Sequence, residues 1–394
     1  MNQEEKELCC GCGACVQVCP TYALSMKMDD KGFWYPKLNA IKCINCSKCS
    51  LVCDFKKRNQ GDNTENNVVN AYSYMSSEME VLKNSTSGGA FTAISNYVLK
   101  NNGIVIGVVE DKDLKIKHVI TDNYEERDKM RGSKYVQSYV ADLFDEIKKN
   151  IDQERMVLFT GTPCQIAALY SYLGNRYRDS EFLFTCDNIC HGVTSPLLLQ
   201  EFHGYIETKM RKKLKKHIFR YKPAGWDHIE CLIYEDGQID YKSAYSQLYK
   251  YIFDRNLGHR SSCFNCKYTS LNRQGDITLG DFWGISENAT DIEKQNGVSL
   301  ILVNSKKGKS IIQRASLEGK LKEVNIESAC KRQPHLSCPP KKADDYDDFW
   351  KFVISDDFKA AVVKYVYNPD FAEFKRKIKC FIMLLRNGGR NQKS

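Results

Sequence analysis

Between residues 9 and 53 the chain repeats one spacing twice, and nothing else in it limits the fold as much. Cys9, Cys12, Cys15 and Cys19, followed by Pro20, read CxxCxxCxxxCP; Cys43, Cys46, Cys49 and Cys53 repeat the spacing, with Asp54 in place of the second proline. A CxxCxxC loop is short enough to set three thiolates around one face of a four-iron cube, and in a doubled run the fourth cysteine crosses to the other cube. The spacing therefore predicts two 4Fe-4S clusters. The first takes Cys9, Cys12, Cys15 and Cys53, and the second Cys19, Cys43, Cys46 and Cys49. Gly11 and Gly13 suit a loop whose amides turn towards sulfur. Cys10 fits neither register and reads as a bystander. A zinc module or a disulfide framework is the alternative, and the doubled register favours neither.

A chain of 394 residues has room for two or three domains around a substantial core. The acidic start, MNQEEKEL, does not resemble a signal peptide, and no apolar run approaches the roughly eighteen residues needed to span a bilayer. Eighteen cysteines then read as metal ligands and buried thiols in a reducing cytoplasm. The formal charge of +9 fits an anionic cofactor, a membrane surface or nucleic acid equally well, but no nucleic-acid motif accompanies it.

Taken in order, residues 1–59 form the cluster domain, with a hairpin turn at Asp30-Lys31-Gly32 between its cysteine runs. The polar stretch 60–70 reads as a linker, 71–340 as the core and 341–394 as a helical tail. Ser87-Gly88-Gly89 opens a helix that Asn101-Asn102-Gly103 stops, a glycine-rich entrance suited to phosphate or to a simple cap. Arg131 and Lys134 flank another glycine turn. A strand from Met156 to Thr160 runs into Gly161-Thr162-Pro163-Cys164 and a helix, so Cys164 falls in a first turn, where the helix dipole favours thiolate. A second strand, 181–185, leads to Cys186, Asp187, Cys190 and His191. Two cysteines beyond neighbouring strand ends are expected to face one site. Residues 209–222 carry a dense basic run read as a solvated helix end, Cys263 and Cys266 make an ambiguous CxxC pair, and residues 371–385 form a basic amphipathic stretch able to touch a membrane surface or pack on the core.

Together Ser87-Gly-Gly-Ala-Phe91, Arg131-Gly-Ser-Lys-Tyr-Val-Gln-Ser138, Gly161-Thr-Pro-Cys-Gln165, Cys190-His-Gly192, Cys263-Phe-Asn-Cys266 and Asp276-Ile-Thr-Leu-Gly-Asp-Phe-Trp-Gly284 resemble the coenzyme F420 hydrogenase/dehydrogenase beta-subunit family, with a two-cluster ferredoxin domain in front. The resemblance spans about Ser87 to Leu336. It implies an α+β protein, a small ferredoxin-like domain fused to a mixed α/β flavin-binding core with a helical tail. It implies FAD, contacted by Ser87, Gly88, Gly89, Lys134, Tyr135, Thr160, Gly161 and Thr162. It also implies a third 4Fe-4S cluster on Cys164, Cys190, Cys263 and Cys266, although the same four thiols could hold zinc. His191 is a candidate acid or base, and Asp281 could orient its surroundings. The expected activity is an oxidoreductase passing electrons between ferredoxin-type clusters, FAD and a small-molecule two-electron acceptor or donor such as coenzyme F420. The alternative is an electron-transfer subunit that docks to a catalytic partner. A redox partner protein or ferredoxin is expected, and no nucleic acid.

Overall fold

The computed structural model describes residues 3–57, 67–140, 142–285, 290–315 and 318–388. The expected hairpin between the cysteine runs forms from β1 (Leu24–Met28) and β2 (Trp34–Leu38), paired antiparallel. Asp29 Oδ1 accepts the amides of Lys31 and Phe33 in its turn. Most of the expected linker lies outside the described residues. Its last residue, Asn70, opens β3 (Asn70–Ser76), a strand of the main sheet.

That sheet adds β4 (Ile104–Glu110), β5 (Ile116–Thr121), β6 (Val157–Gly161) and β7 (Leu183–Asn188). With β11 (Ile277–Asp281), β12 (Ser299–Val303) and β13 (Gly319–Val324) it runs in the order β13-β3-β12-β11-β7-β6-β4-β5. Strands β11, β7, β6 and β4 are parallel to one another, and the remaining pairings are antiparallel. The architecture is thus mixed α/β. In such a sheet the carboxyl ends of the parallel strands form the natural binding crevice, because the loops leaving them diverge. A small antiparallel sheet, β8 (Leu214–Ile218), β9 (Cys231–Tyr234) and β10 (Ile239–Asp240), stands beside it.

The helix Ala90–Lys100 starts at Gly89, whose φ of 88° only glycine adopts cheaply, and buries Ile94 and Val98. Asn101 and Asn102 end it as the sequence implies. In helix Pro163–Leu173, Pro163 occupies the first position, and Thr162 and Gln165 form a capping box.

One sequence reading changes. Rather than a solvated helix end alone, the basic run holds the last residues of helix Pro196–Met210 and then β8, where a break in the pairing between Leu214 and Lys216 lets Leu214 and His217 both turn inward while Lys215 and Lys216 face out. The described part of the expected helical tail packs on the core, the second of the two placements open to it. Its helices Tyr346–Ile354 and Phe358–Tyr365 bury Tyr346, Phe349 and Trp350 in one apolar cluster with Phe33 of the hairpin, Phe202 and Tyr249. The cysteine-rich start, the small sheet and the C-terminal helices therefore share one core. Among the described residues, no helix is long and apolar enough to cross a membrane.

Candidate functional site

The first cysteine run lies against the main body. Gly11, at φ +70°, lets the loop approach so closely that a Cβ there would fall 2.4 Å from Gln137 Nε2 and 2.7 Å from the Trp34 carbonyl. Arg260, fully buried, fixes the loop. Its Nε donates to the Cys9 carbonyl at 2.7 Å and its Nη2 to that of Trp34 at 3.0 Å, while the guanidinium stacks 4.0 Å from the Tyr35 ring centre. Cys9, Cys12, Cys15 and Cys53 lie close enough to feel one another's charge: burial raises Cys9, opposed by Arg260 and added to by Cys12 and Cys53, and burial followed by Cys12, Cys9 and Cys53 raises Cys15. Of the other set, Cys46 is exposed and Cys19, Cys43 and Cys49 are half-buried. The Ala23 amide donates to Cys19 Sγ at 3.3 Å. Burial acts upward on that thiol, but the amides of Ala23, Thr21 and Leu24 and the Thr21 hydroxyl hold it below its ordinary range.

A second set of thiols collects at the carboxyl ends of the parallel strands. Cys164 follows β6 in the first turn of its helix, 3.1 Å from Thr162 Oγ1. Cys190 follows β7 and accepts the Gly192 amide at 3.4 Å. Gly192 is required there, since at φ +105° its Cβ would land 2.0 Å from the His259 ring. Cys263 ends the short turn Ser261–Cys263, three residues after Arg260, so one loop ties both cysteine sets. Burial pushes Cys190 well up, followed by the charges of Cys263, Cys164 and Cys266. Burial and then Cys266 raise Cys263 to about 12; burial and then Cys164 raise Cys266 to about 11. Four thiols that oppose one another's ionisation this strongly are a donor set suited to a cationic centre, which alone stabilises several thiolates together. Cys164 is the exception. A hydrogen bond to Cys10 and then, against burial, one to Thr162 bring it to about 7. The helix end expected to activate it is thus joined by two specific neighbours.

Cys10, outside both registers, lies between the two sets: its thiol reaches both Cys12 and Cys164, and with Cys53 and Cys266 it packs on Phe55, Ala167 and Tyr268. Cys186, by contrast, points into the core from within β7, which runs three residues beyond the strand expected from sequence.

Beside the second set opens a cavity of about 450 Å³. Ser87, Gly89, Lys134, Tyr135, Thr160, Gly161, Thr162, Cys190 and His191 line it, as do Arg220, His228, Asp254, Asp281 and Trp283. Of the residues expected at a flavin, only Gly88 is not on its wall. A Cβ on Gly88 would fall 2.0 Å from the Tyr74 carbonyl, so this glycine serves the packing of the helix entrance on β3. Lys134 spends its ammonium on the carbonyls of Lys129, Met130 and Arg131. Arg220, hidden in the basic run, supplies the cation that sequence reasoning missed. It bonds Asp281 Oδ2 at 3.0 Å and the Tyr135 hydroxyl at 3.1 Å, and Asp281 Oδ1 accepts Trp226 Nε1 at 2.9 Å. Trp226 stacks on Trp283 at 4.9 Å. Arg220 Nη2 and Ser87 Oγ are buried with no hydrogen-bond partner among the described residues. Two such donors on the wall of an aromatic cavity fit a planar ligand that carries anionic groups. Burial and then His335, its ring 4.4 Å away, lower His191 to about 4, so its imidazole is neutral near neutral pH.

Three family models match the chain. Residues 8–57 match a 4Fe-4S dicluster domain, 71–145 the N-terminal part of the coenzyme F420 hydrogenase/dehydrogenase beta subunit and 154–329 its C-terminal part. A subunit of the F(420)H(2) dehydrogenase of Methanosarcina mazei is 23% identical over 173 residues, 42% of this chain and 48% of that protein, so the chain spans about half of that relative's length. An uncharacterized protein of Methanocaldococcus jannaschii is 23% identical over 347 residues, 79% of this chain and 87% of its own. A chain of the F420-reducing [NiFe] hydrogenase complex from Methanosarcina barkeri aligns with a TM-score of 0.45 at 21% identity, over 76% of this chain and 92% of the other.

Proposed function

The chain belongs to the coenzyme F420 hydrogenase/dehydrogenase beta-subunit family, with a 4Fe-4S dicluster domain at its start, and we propose that it carries electrons from that domain through a third 4Fe-4S cluster to FAD in the cavity. Cys190 is the observation that carries this reading, because it belongs to the second thiol set and to the cavity wall at once. Cys19, Cys43, Cys46 and Cys49 hold the outer cluster, and Cys9, Cys12, Cys15 and Cys53 the inner one. Cys10 spans the gap to Cys164, Cys190, Cys263 and Cys266. An all-thiolate set serves a cube or zinc, and of the two only the cube lets electrons leave the dicluster domain for the cavity.

Flavin, when bound, supplies the exchange between one-electron and two-electron chemistry. The chain's own residues bind and orient it. Ser87 Oγ and Arg220 Nη2 offer donors to its anionic groups, Tyr135 and Asp281 fix the Arg220 fork, and Trp283 supplies an aromatic wall. A small two-electron carrier of the coenzyme F420 class exchanges with it at the cavity. Ile41, Ile44 and Leu51 stand exposed around the outer cysteine run, a surface suited to a redox partner protein. That surface also favours the second reading, in which the chain only relays electrons to a catalytic partner.

Anaerobic purification followed by iron, sulfide, zinc and flavin quantitation tests the proposal. About twelve irons and one FAD per chain are expected. About eight irons with zinc and no flavin refute it. Turnover of coenzyme F420 by the isolated chain separates the first reading from the second.

A further inference from the structure

Behind the cavity, on the side of the small sheet, four titratable side chains line up. His203 comes from helix Pro196–Met210, His217 from β8, and His228 and Glu230 from the segment leading into β9. His203 is 7% exposed, His217 3% and Glu230 0%. His203 Nε2 lies 3.1 Å from His217 Nδ1, His217 Nε2 lies 3.7 Å from Glu230 Oε2, and Glu230 Oε1 lies 3.9 Å from His228 Nε2. His228 Nδ1 then meets Asp254 Oδ1 at 3.1 Å, and both of these residues line the cavity.

The order of the atoms matters as much as the distances. The line enters His217 by one ring nitrogen and leaves by the other, and it enters Glu230 by one carboxyl oxygen and leaves by the other. Such through-connection is what a proton relay needs, because each group can release a proton on one side for the proton it receives on the other. His217 Nε2, Glu230 Oε1 and His228 Nε2 have no hydrogen-bond partner among the described residues. Both open gaps are less than about 1 Å beyond hydrogen-bond length, so small rotations close them. A purely structural role would leave these atoms satisfied, since unpaired buried polar atoms are costly.

We propose that His203, His217, Glu230 and His228 form a proton path that supplies the cavity from the outer side of helix Pro196–Met210. The proposal rests on the reading of the cavity as a two-electron site. Clusters deliver electrons without protons, so each pair of electrons reaching an acceptor there must be matched by one or two protons. His203 gives its Nε2 proton to His217 Nδ1, His217 gives its Nε2 proton to Glu230, Glu230 passes one to His228 Nε2, and His228 releases its Nδ1 proton at the cavity. One proton leaves the path for each that enters at His203, whose neighbour one turn on, Glu207, reaches the surface.

The surrounding groups favour this use. Burial raises Glu230 to about 8, against the charges of His228 and Lys250 and the Lys250 amide on Oε2, while Asp254 adds to the rise. It therefore holds a proton at neutral pH. Burial and then His228 lower His217 to about 3, and burial and His217 lower His203, with Glu207 opposing. Both histidines stay neutral and can pass protons on. Glu110 accepts the His217 backbone amide from the other side, with Lys134 and Lys216 near it.

Two measurements on the full chain test the path. In infrared spectra the wild type at pH 7 should show a buried protonated-carboxyl band that Glu230→Gln removes, and its exchange in D2O should slow about tenfold or more in His203→Gln. This arm needs no flavin, so it decides the proposal even where FAD fails to bind and the functional reading falls. With FAD bound, reduced methyl viologen serves as a donor that carries no proton, and an indicator dye follows proton uptake. Glu230→Gln should slow uptake by about a hundredfold, leaving iron content and cluster reduction unchanged. Absence of the band, exchange unchanged in His203→Gln, or wild-type uptake in Glu230→Gln each overturns the path, and the last assigns proton entry to Asp254 at the cavity wall.

Discussion

Replacing Arg273 by Met should be among the most damaging single changes available outside the cysteines. Arg273 and Asp187 pair at 3.0 Å with side chains 1% and 0% exposed. The guanidinium also donates to Thr278 Oγ1 at 3.1 Å and to the carbonyls of Tyr268, Ser270 and Asn188 at 3.0, 3.2 and 3.0 Å. It thereby staples the segment after Cys266 to the end of β7, from which the Cys190 loop departs. Methionine fills much of the volume but removes the cation and leaves three carbonyls and a buried carboxylate without it. Asp187 keeps the amides of Gln274 and Gly275 and the Thr278 hydroxyl, which limits the loss. Breaking such a buried pair from one side costs about 3–5 kcal/mol. With a urea slope of roughly 3 kcal/mol per molar or more for a chain of this size, the unfolding midpoint should fall by about 1 M. Anaerobic urea titration followed by circular dichroism measures it. A fall below about 0.2 M would refute the reasoning, and recovery in the double variant Arg273→Met/Asp187→Asn would support it.

Acid should destabilise the protein through histidines buried in their neutral form, against an opposite contribution from Glu230, which is already protonated at neutral pH. Burial lowers His118 to about 4 and, with His228, His217 to about 3, so the folded state refuses protons that the unfolded chain accepts below about pH 6.5. Their contribution is complete above that pH and declines as pH falls, by about 2 kcal/mol each at pH 5; equal urea stability at pH 7 and pH 5 would contradict this. Arg220→Gln should weaken FAD binding about tenfold to a hundredfold, the worth of one charge-assisted hydrogen bond, as read by flavin fluorescence titration; an unchanged Kd would remove Arg220 from the site. Trp350→Ala should cost about 3–5 kcal/mol, because Trp350 is 1% exposed in the shared core. A loss within about 0.5 kcal/mol would mean that the C-terminal helices do not support it.

Local chemistry was legible in the sequence wherever one residue type had one use. The Asp30-Lys31-Gly32 turn, the Thr162-Pro163 helix start and the Asn101-Asn102-Gly103 stop all name structures that form where expected, and the doubled cysteine spacing falls in the stretch that matches a 4Fe-4S dicluster domain. The basic run failed because composition was read without its period. Counted by twos from His217, the same residues place Phe219 inward and so mark a strand, but Arg220 falls on the opposite parity, and no local pattern marks its place beside Asp281. Cys10 was set aside because spacing rules know only the cluster its own run would hold. It meets Cys164, far along the chain, and no local pattern records such a meeting. Arg260 and the His203–His217–Glu230 line are hidden for the same reason, each being assembled from elements that meet only in the folded chain.

The central claim, that electrons reach the cavity through the second thiol set, is tested most directly in Cys266→Ala. The full chain, loaded with iron, sulfide and FAD under anaerobic conditions, is mixed with reduced methyl viologen in a stopped-flow instrument, and cluster and flavin absorbance are followed together. The account predicts that the variant loses about four irons, that its N-terminal clusters are reduced at the wild-type rate, and that flavin bleaching slows at least about tenfold. Flavin bleaching at the wild-type rate with those irons missing would contradict it.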